Sequence, residues 1–296
     1  MELMEPKKKK YCKLPKKVSL PITLKKDGTI HKIQGIFNGF SVTVNDEEDM
    51  KNIISMGYFG KANLSRNYPQ FSSNSKVEIL RYRQYERRKH WGTKGDNGAL
   101  KKVIVVPDSD SDDDFFTNLK PQYQIDKSGI RESVWLSLEE AFFLLHSVGC
   151  LDIREGNDYL NASDCWKLFS ETDAQFKYNY IVYYYFRAKN WVVKPGIKFG
   201  GDYLLYKQGP PFYHASYVVI IEILDDCHSK IEDLCRRSMD KVSVMSLNRL
   251  CETGGKELMI CEIILNKNED IHYETLDKIR INEILVKRWI ITHDLP

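Results

Sequence analysis

The sequence has no cysteine pair at C-x-x-C spacing, no His/Cys/Asp/Glu cluster at metal-ligand spacing and no glycine-rich loop ahead of a helix. The first two absences remove the grounds for a zinc site, and the third removes Walker and dinucleotide phosphate loops. Gly200-Gly201 and Gly254-Gly255 read only as turn glycines. Seven cysteines (Cys12, Cys150, Cys165, Cys227, Cys235, Cys251 and Cys261) make an odd count, so no disulfide framework is indicated and reduced thiols are expected. No apolar run approaches the roughly 20 residues of a membrane helix, and no apolar segment follows the basic start in the manner of a signal peptide. A soluble, intracellular protein that needs no cofactor is expected.

What is present is a chain of 296 residues, 42% hydrophobic, long enough for one large domain or two ordinary ones. The formal charge of +3 conceals a division, because residues 1–95 hold 20 Lys and Arg against 9 Asp and Glu, leaving the remainder acidic. A polyanion partner for the basic region is one reading, and a solvated face is the other. Lys7 to Lys10 form a basic tetrad that reads as a nuclear import signal, a phosphate-binding tail or simply disordered chain.

Beyond a basic tail over residues 1–18, apolar and polar residues alternate through Ser19–Leu24 and Thr29–Ile33, and Asn38-Gly39 leads into Phe40–Val44. These predict a small antiparallel sheet. Asn45 is positioned to cap a helix with an acidic first turn, an apolar face of Met50, Ile53 and Ile54, and Gly57 as its stop. A basic helix is expected from Lys76 to Trp91, closing an N-terminal α+β region over 19–91. Residues 92–127, with the run Asp108–Asp114, read as an acidic flexible linker. The stretch 128–190 is helical: Ser137 and Glu140 make a capping box, a short helix is expected near Ser163–Phe169, and Thr172 with Gln175 opens a longer one reaching Lys189. From 191 to 296 strands dominate: Trp191–Val193, Asp202–Tyr206, Phe212–Leu224, Glu257–Leu265 and Lys278–Ile291, with a short helix over Ser246–Thr253. The fold class is α+β (α/β in the broad sense), with a C-terminal mixed sheet flanked by helices.

Chemistry-bearing residues gather where Asp202–Tyr206 and the following strand flank Gly209-Pro210-Pro211. Pairing of the two strands brings Tyr206 near His214, and period-two alternation puts Phe212, His214, Ser216 and Val218 on one face. On these residues alone, His214 also reads as a core histidine between tyrosines, Tyr206 as one of 17 packing tyrosines, and Lys256 as a surface lysine at a strand start.

The stretch Lys198-Phe-Gly-Gly-Asp-Tyr-Leu-Leu-Tyr206-Lys-Gln-Gly-Pro-Pro-Phe-Tyr-His214-Ala-Ser-Tyr217 resembles the catalytic motif of the tRNA-intron endonucleases, in particular the eukaryotic subunit assigned to the 5′ splice site. Lys256–Met259, Arg249 before it, Lys287-Arg-Trp289, and Gly57–Lys61 with Leu64-Ser-Arg66 match further family segments in the same order. The charged connection Asp225–Lys241 and the short linker depart from the family pattern. The resemblance implies a catalytic triad of Tyr206, His214 and Lys256, and a base-pinching pair, Arg249 and Trp289, that serves this subunit's own cut or a neighbour's. It implies metal-independent cleavage of pre-tRNA to 2′,3′-cyclic phosphate and 5′-hydroxyl ends, with Tyr206 as base, His214 as acid and Lys256 as electrostatic clamp. A phenol is a poor base at neutral pH, so this assignment expects Lys256 or another cation to lower the Tyr206 pKa.

Arg81, Arg87 and Arg88 on the basic helix are then expected to bind tRNA phosphates or, alternatively, an acidic partner. The implied assembly is a nuclear heterotetramer with a second catalytic subunit and two structural ones. A noncatalytic structural or RNA-binding subunit of the same complex is the alternative, and intact Tyr206, His214 and Lys256 argue against it.

Overall fold

A computed structural model of the chain describes residues 6–10, 20, 22–25, 27–63, 99–103, 122–126, 132–237, 239–265 and 271–287, with the backbone alone for 99–103 and 122–126. The chain pairs Leu24 with Ile30, then enters β1 (Ile33–Phe37) and β2 (Val42–Val44), which run antiparallel as the alternation predicts. Helix α1 (Glu47–Ser55) follows. Its cap is Asp46 rather than Asn45: the Asp46 carboxylate accepts from the Glu48 and Asp49 amides, each at 3.0 Å. Met50, Ile53 and Ile54 form its buried face. After β3 (Lys61–Ala62), two stretches within residues 92–127, β4 (Ala99–Val103) and β5 (Gln122–Asp126), pair antiparallel with each other. The basic helix expected over 76–91 lies outside the described residues.

β6 (Val134–Leu136) leads into α2 (Leu138–Phe142), whose capping box joins Ser137 and Glu140, and a wider π-type turn over Phe143–Ser147 extends it. β7 (Leu151–Glu155) and β8 (Asp158–Leu160) complete a six-stranded sheet ordered β3-β6-β2-β1-β7-β8. The β1–β7 pairing is parallel, so the first sheet is closed by residues far apart in sequence.

Helix α3 (Ala162–Thr172) is capped by Asn161, and α4 (Phe176–Ala188) begins after a turn in which Asp173 accepts from the Gln175 amide. Thr172 therefore ends one helix instead of opening the next. Strands β9 (Val192–Pro195), β10 (Tyr203–Tyr206) and β11 (Tyr217–Asp225) precede α5 (Lys241–Thr253), β12 (Glu257–Leu265) and β13 (Arg280–Val286). They form a five-stranded mixed sheet ordered β13-β12-β11-β10-β9, in which only the β11–β12 pair is parallel.

Several bounds differ from those expected, among them β13, which starts at Arg280 rather than Lys278. β11 starts at Tyr217 rather than Phe212, because the Phe212 and Tyr213 amides turn back to the Gly209 carbonyl (both 3.2 Å). α5 begins five residues before Ser246, where the Asp240 carboxylate accepts from the Ser243 amide at 2.8 Å. β9 begins at Val192 and runs through Pro195.

α2, α3 and α4 carry aromatic residues into one continuous core that reaches both sheets; Phe142, Phe169, Phe176 and Tyr180 are fully buried and stack edge-to-face or offset on one another. The opposite face of the C-terminal sheet has a second, smaller core of Leu204, Ala215, Val218, Ile220, Cys251 and Leu258, to which α5 contributes Cys251. Cys150, Cys165, Cys227, Cys235, Cys251 and Cys261 are free thiols, as expected for them. Among the described residues no helix is long and apolar enough to cross a membrane.

Candidate active site at one end of the C-terminal sheet

β10 ends where β11 and β12 begin, so Tyr206, His214 and Lys256 come to one end of the sheet. Register places Leu205 opposite Tyr217, and Tyr217 beside Glu257. Beyond these pairs the Ser216 amide donates to the Leu205 carbonyl (2.8 Å) and the Glu257 amide to the Ser216 carbonyl (3.0 Å). One step further along this register, Tyr206, Ser216 and Lys256 form a row across three neighbouring segments. Alternation puts that row on the α5 face, because Leu204, Val218 and Leu258 belong to the core on that side. At a strand spacing of about 4.8 Å, the Cα atoms of Tyr206 and Lys256 stand roughly 10 Å apart. His214 is two residues before Ser216.

Lys256 is not the surface lysine its position suggests. It is 8% exposed, its Nζ donates to the Gly254 carbonyl at 2.9 Å, and it lies 4.1 Å from the centroid of the Phe199 ring. Burial lowers its pKa below the ordinary lysine value, against a smaller opposing effect of Cys251. The Gly254-Gly255 turn makes this placement possible: Gly255 is left-handed (φ 64°), and the Lys256 amide bonds back to the Cys251 carbonyl at 2.9 Å. Among the described residues Lys256 has no carboxylate partner. A buried ammonium satisfied by one carbonyl and a ring face is suited to receive an anion.

Tyr206 is half-buried against the second core, and that burial raises its pKa above the ordinary phenol value. The lowering by a neighbouring cation, expected from its assigned role as base, is not found: desolvation of the phenolate dominates. His214, in contrast, is exposed. Its loop turns on Gly209, at φ 108°, whose backbone packs directly on the Tyr58 ring; Tyr58 also meets Phe212 edge-on, with ring centroids 6.0 Å apart. Segment 57–61 is held in turn by the catalytic half of the chain. Arg187 donates to the Gly57 carbonyl (3.0 Å) and lies over the Phe59 ring, while Lys194 bridges the Gly60 carbonyl (2.9 Å) and Glu140 (2.8 Å).

Of the other residues singled out by sequence, Arg249 is exposed on α5, and Trp289, Arg81, Arg87 and Arg88 lie outside the described residues. Among the described residues no group of three His, Cys, Asp or Glu side chains could hold a metal ion. Four further residues reach the site in ways the sequence does not mark. The Ser216 hydroxyl is buried without a partner in the middle of the row; its position between two strands was the signal, visible only once the register is known. Phe199 lies within the family-like motif but has no polar group to mark it. Tyr58 and Lys7 are remote in sequence.

Residues 176–273 match the family model for the tRNA intron endonuclease catalytic C-terminal domain. The match spans about a third of the chain. The matched segment takes in Tyr206, His214 and Lys256 and the strands that align them. Over 169 residues the chain is 43% identical to the tRNA-splicing endonuclease subunit Sen2 of Gallus gallus and 41% identical to that of Rattus norvegicus, covering 56% of this chain in each case. The chain thus spans 36% of the length of each of these vertebrate relatives. A probable tRNA-splicing endonuclease subunit sen2 of Schizosaccharomyces pombe is 27% identical over 84% of this chain and 78% of its own length.

Proposed function

We propose that this chain is the catalytic subunit of a tRNA-splicing endonuclease that cleaves pre-tRNA at the 5′ splice site, leaving 2′,3′-cyclic phosphate and 5′-hydroxyl ends. The observation that carries the reading is the buried, anion-ready Lys256 ammonium in one row with Tyr206, beside an exposed His214 on a braced loop. The Sen2 resemblance supplies the substrate class.

In this reading the ribose 2′ oxygen forms a bond to the adjacent phosphorus, and the bond from phosphorus to the 5′ oxygen breaks. The 2′ proton goes to Tyr206, and the leaving 5′ oxygen takes a proton from His214 as imidazolium. Lys256 stabilises the extra negative charge on the non-bridging oxygens, and its scarcity of other partners keeps it available for that oxygen. Because burial opposes the Tyr206 phenolate, the base step is the demanding one: the phenolate that accepts the 2′ proton has to form at a half-buried site. No step calls on a metal ion.

The remaining parts follow the same reading. Arg249 and Trp289 grip a bulged base by stacking and cation–π attraction, for this subunit's cut or its neighbour's. Arg81, Arg87 and Arg88 neutralise tRNA phosphates. The complex is a nuclear heterotetramer with a second catalytic and two structural subunits. The test of the chemistry is cleavage of an intron-containing pre-tRNA by the assembled complex in EDTA, with product ends mapped. Cyclic phosphate at the 5′ exon end supports the reading; a 3′-hydroxyl end, or loss of cutting in EDTA, sinks it.

A further inference from the structure

The basic tetrad that sequence reasoning left among three readings has a definite place in the structure. Lys8 forms an antiparallel bridge with Tyr213, the Lys9 amide donates to the Phe212 carbonyl at 2.8 Å, and the His214 amide donates to the Lys7 carbonyl at 3.0 Å. The Lys9 ammonium adds a bond to the Pro210 carbonyl at 2.6 Å. A short strand of lysines therefore lies along the loop that carries His214 and satisfies the backbone amide of His214 itself.

The same strand brings a second ammonium to the site. The Lys7 Nζ reaches the Gly254-Gly255 turn, 3.4 Å from the place a Gly255 side chain would begin, and the Lys256 Nζ bonds the neighbouring Gly254 carbonyl. Among the described residues neither amine has a carboxylate partner. Two ammonium groups that approach one glycine turn attract an anion placed between or beside them. Gly255 itself sits at φ 64°, a left-handed conformation that suits glycine, and it shapes the turn both amines approach.

We propose that the Lys7 side chain is part of the active site and that its ammonium binds a pre-tRNA phosphate flanking the one held by Lys256. This rests on the endonuclease reading and deepens it: the strand positions His214 through its backbone and adds a cation through its side chain. Strand alternation sends Lys8 to the opposite side of the ribbon from Lys7 and Lys9, which makes Lys8 the charge-matched control.

The test uses the assembled complex with wild type, Lys7→Ala, Lys7→Arg, Lys8→Ala and His214→Ala. Binding is measured to a pre-tRNA whose 2′-hydroxyl at the 5′ splice site is replaced by hydrogen, across a range of salt, alongside single-turnover cleavage of the unmodified RNA. Lys7→Ala is expected to bind roughly tenfold more weakly and to lower the salt slope by about 1, with Lys7→Arg restoring both and Lys8→Ala matching wild type. Should His214→Ala cut at the wild-type rate, the endonuclease reading fails. Should His214→Ala be silent while Lys7→Ala behaves like Lys8→Ala, the assignment of Lys7 alone falls.

Discussion

The Tyr58 ring packs on the backbone of Gly209, and through that contact a residue from the turn between α1 and β3 braces the loop that presents His214. Gly209 has φ 108°, a conformation that a side chain strains, and the place of its missing side chain is taken by the Tyr58 ring. Gly209→Ala should therefore cost about 1–3 kcal/mol of stability and displace His214. Thermal unfolding and single-turnover cleavage check this together: a lower melting temperature with a slower chemical step and unchanged binding is expected, and a wild-type rate would contradict it.

Glu140 ties three elements. It accepts from the Ser137 amide at the start of α2 and from the Gly60 amide, and it pairs with the buried Lys194. Removing it leaves an uncompensated ammonium whose pKa burial already lowers. Glu140→Ala is expected to destabilise the fold by about 3–5 kcal/mol, whereas replacing both partners with apolar residues of similar volume should recover much of that. Denaturant unfolding of the single and double variants makes the comparison.

Lys256 separates stability from function. Burial disfavours its charge, so Lys256→Met should unfold no more easily than wild type while cleaving about 10²- to 10³-fold more slowly, the loss typical of one transition-state donor. Equal loss of stability and rate would mean the lysine is structural.

Its lowered pKa also sets a pH dependence. In the proposed mechanism the ammonium is the working form, and in the free enzyme it is lost as pH rises through a value below the ordinary lysine range. The alkaline fall in kcat/KM, which reports the free enzyme, should accordingly begin below the ordinary lysine range. Lys256→Arg keeps the charge at any attainable pH, so the fall it causes should move upward or vanish; an unmoved limb would assign the fall to another group.

The parts legible in the sequence were those written in local signals. The Ser137–Glu140 box and the apolar face of α1 depend on residues a few positions apart, and the structure has them, as it has the antiparallel pairing of β10 with β11. The parallel pairing of β1 with β7 was not legible, because nothing near Ile33 marks Leu151 as its neighbour. Lys256 reads as a surface residue until Phe199 and the glycine turn enclose it. The start of β11 was misplaced because Phe212 and Tyr213 alternate like a strand while their amides close a turn on Gly209. A run of lysines has no apolar period, so its pairing with Phe212–His214 has no signature in sequence.

The central claim is that His214 is the general acid for one cut, and it is tested most directly by comparing wild-type and His214→Ala complexes on an intron-containing pre-tRNA, with both splice sites scored. Loss of about 10²- to 10⁴-fold in rate at the 5′ site alone, with pre-tRNA binding and the 3′ cut retained, is the predicted result. Undiminished cutting at both sites would contradict the account and leave this chain a structural subunit.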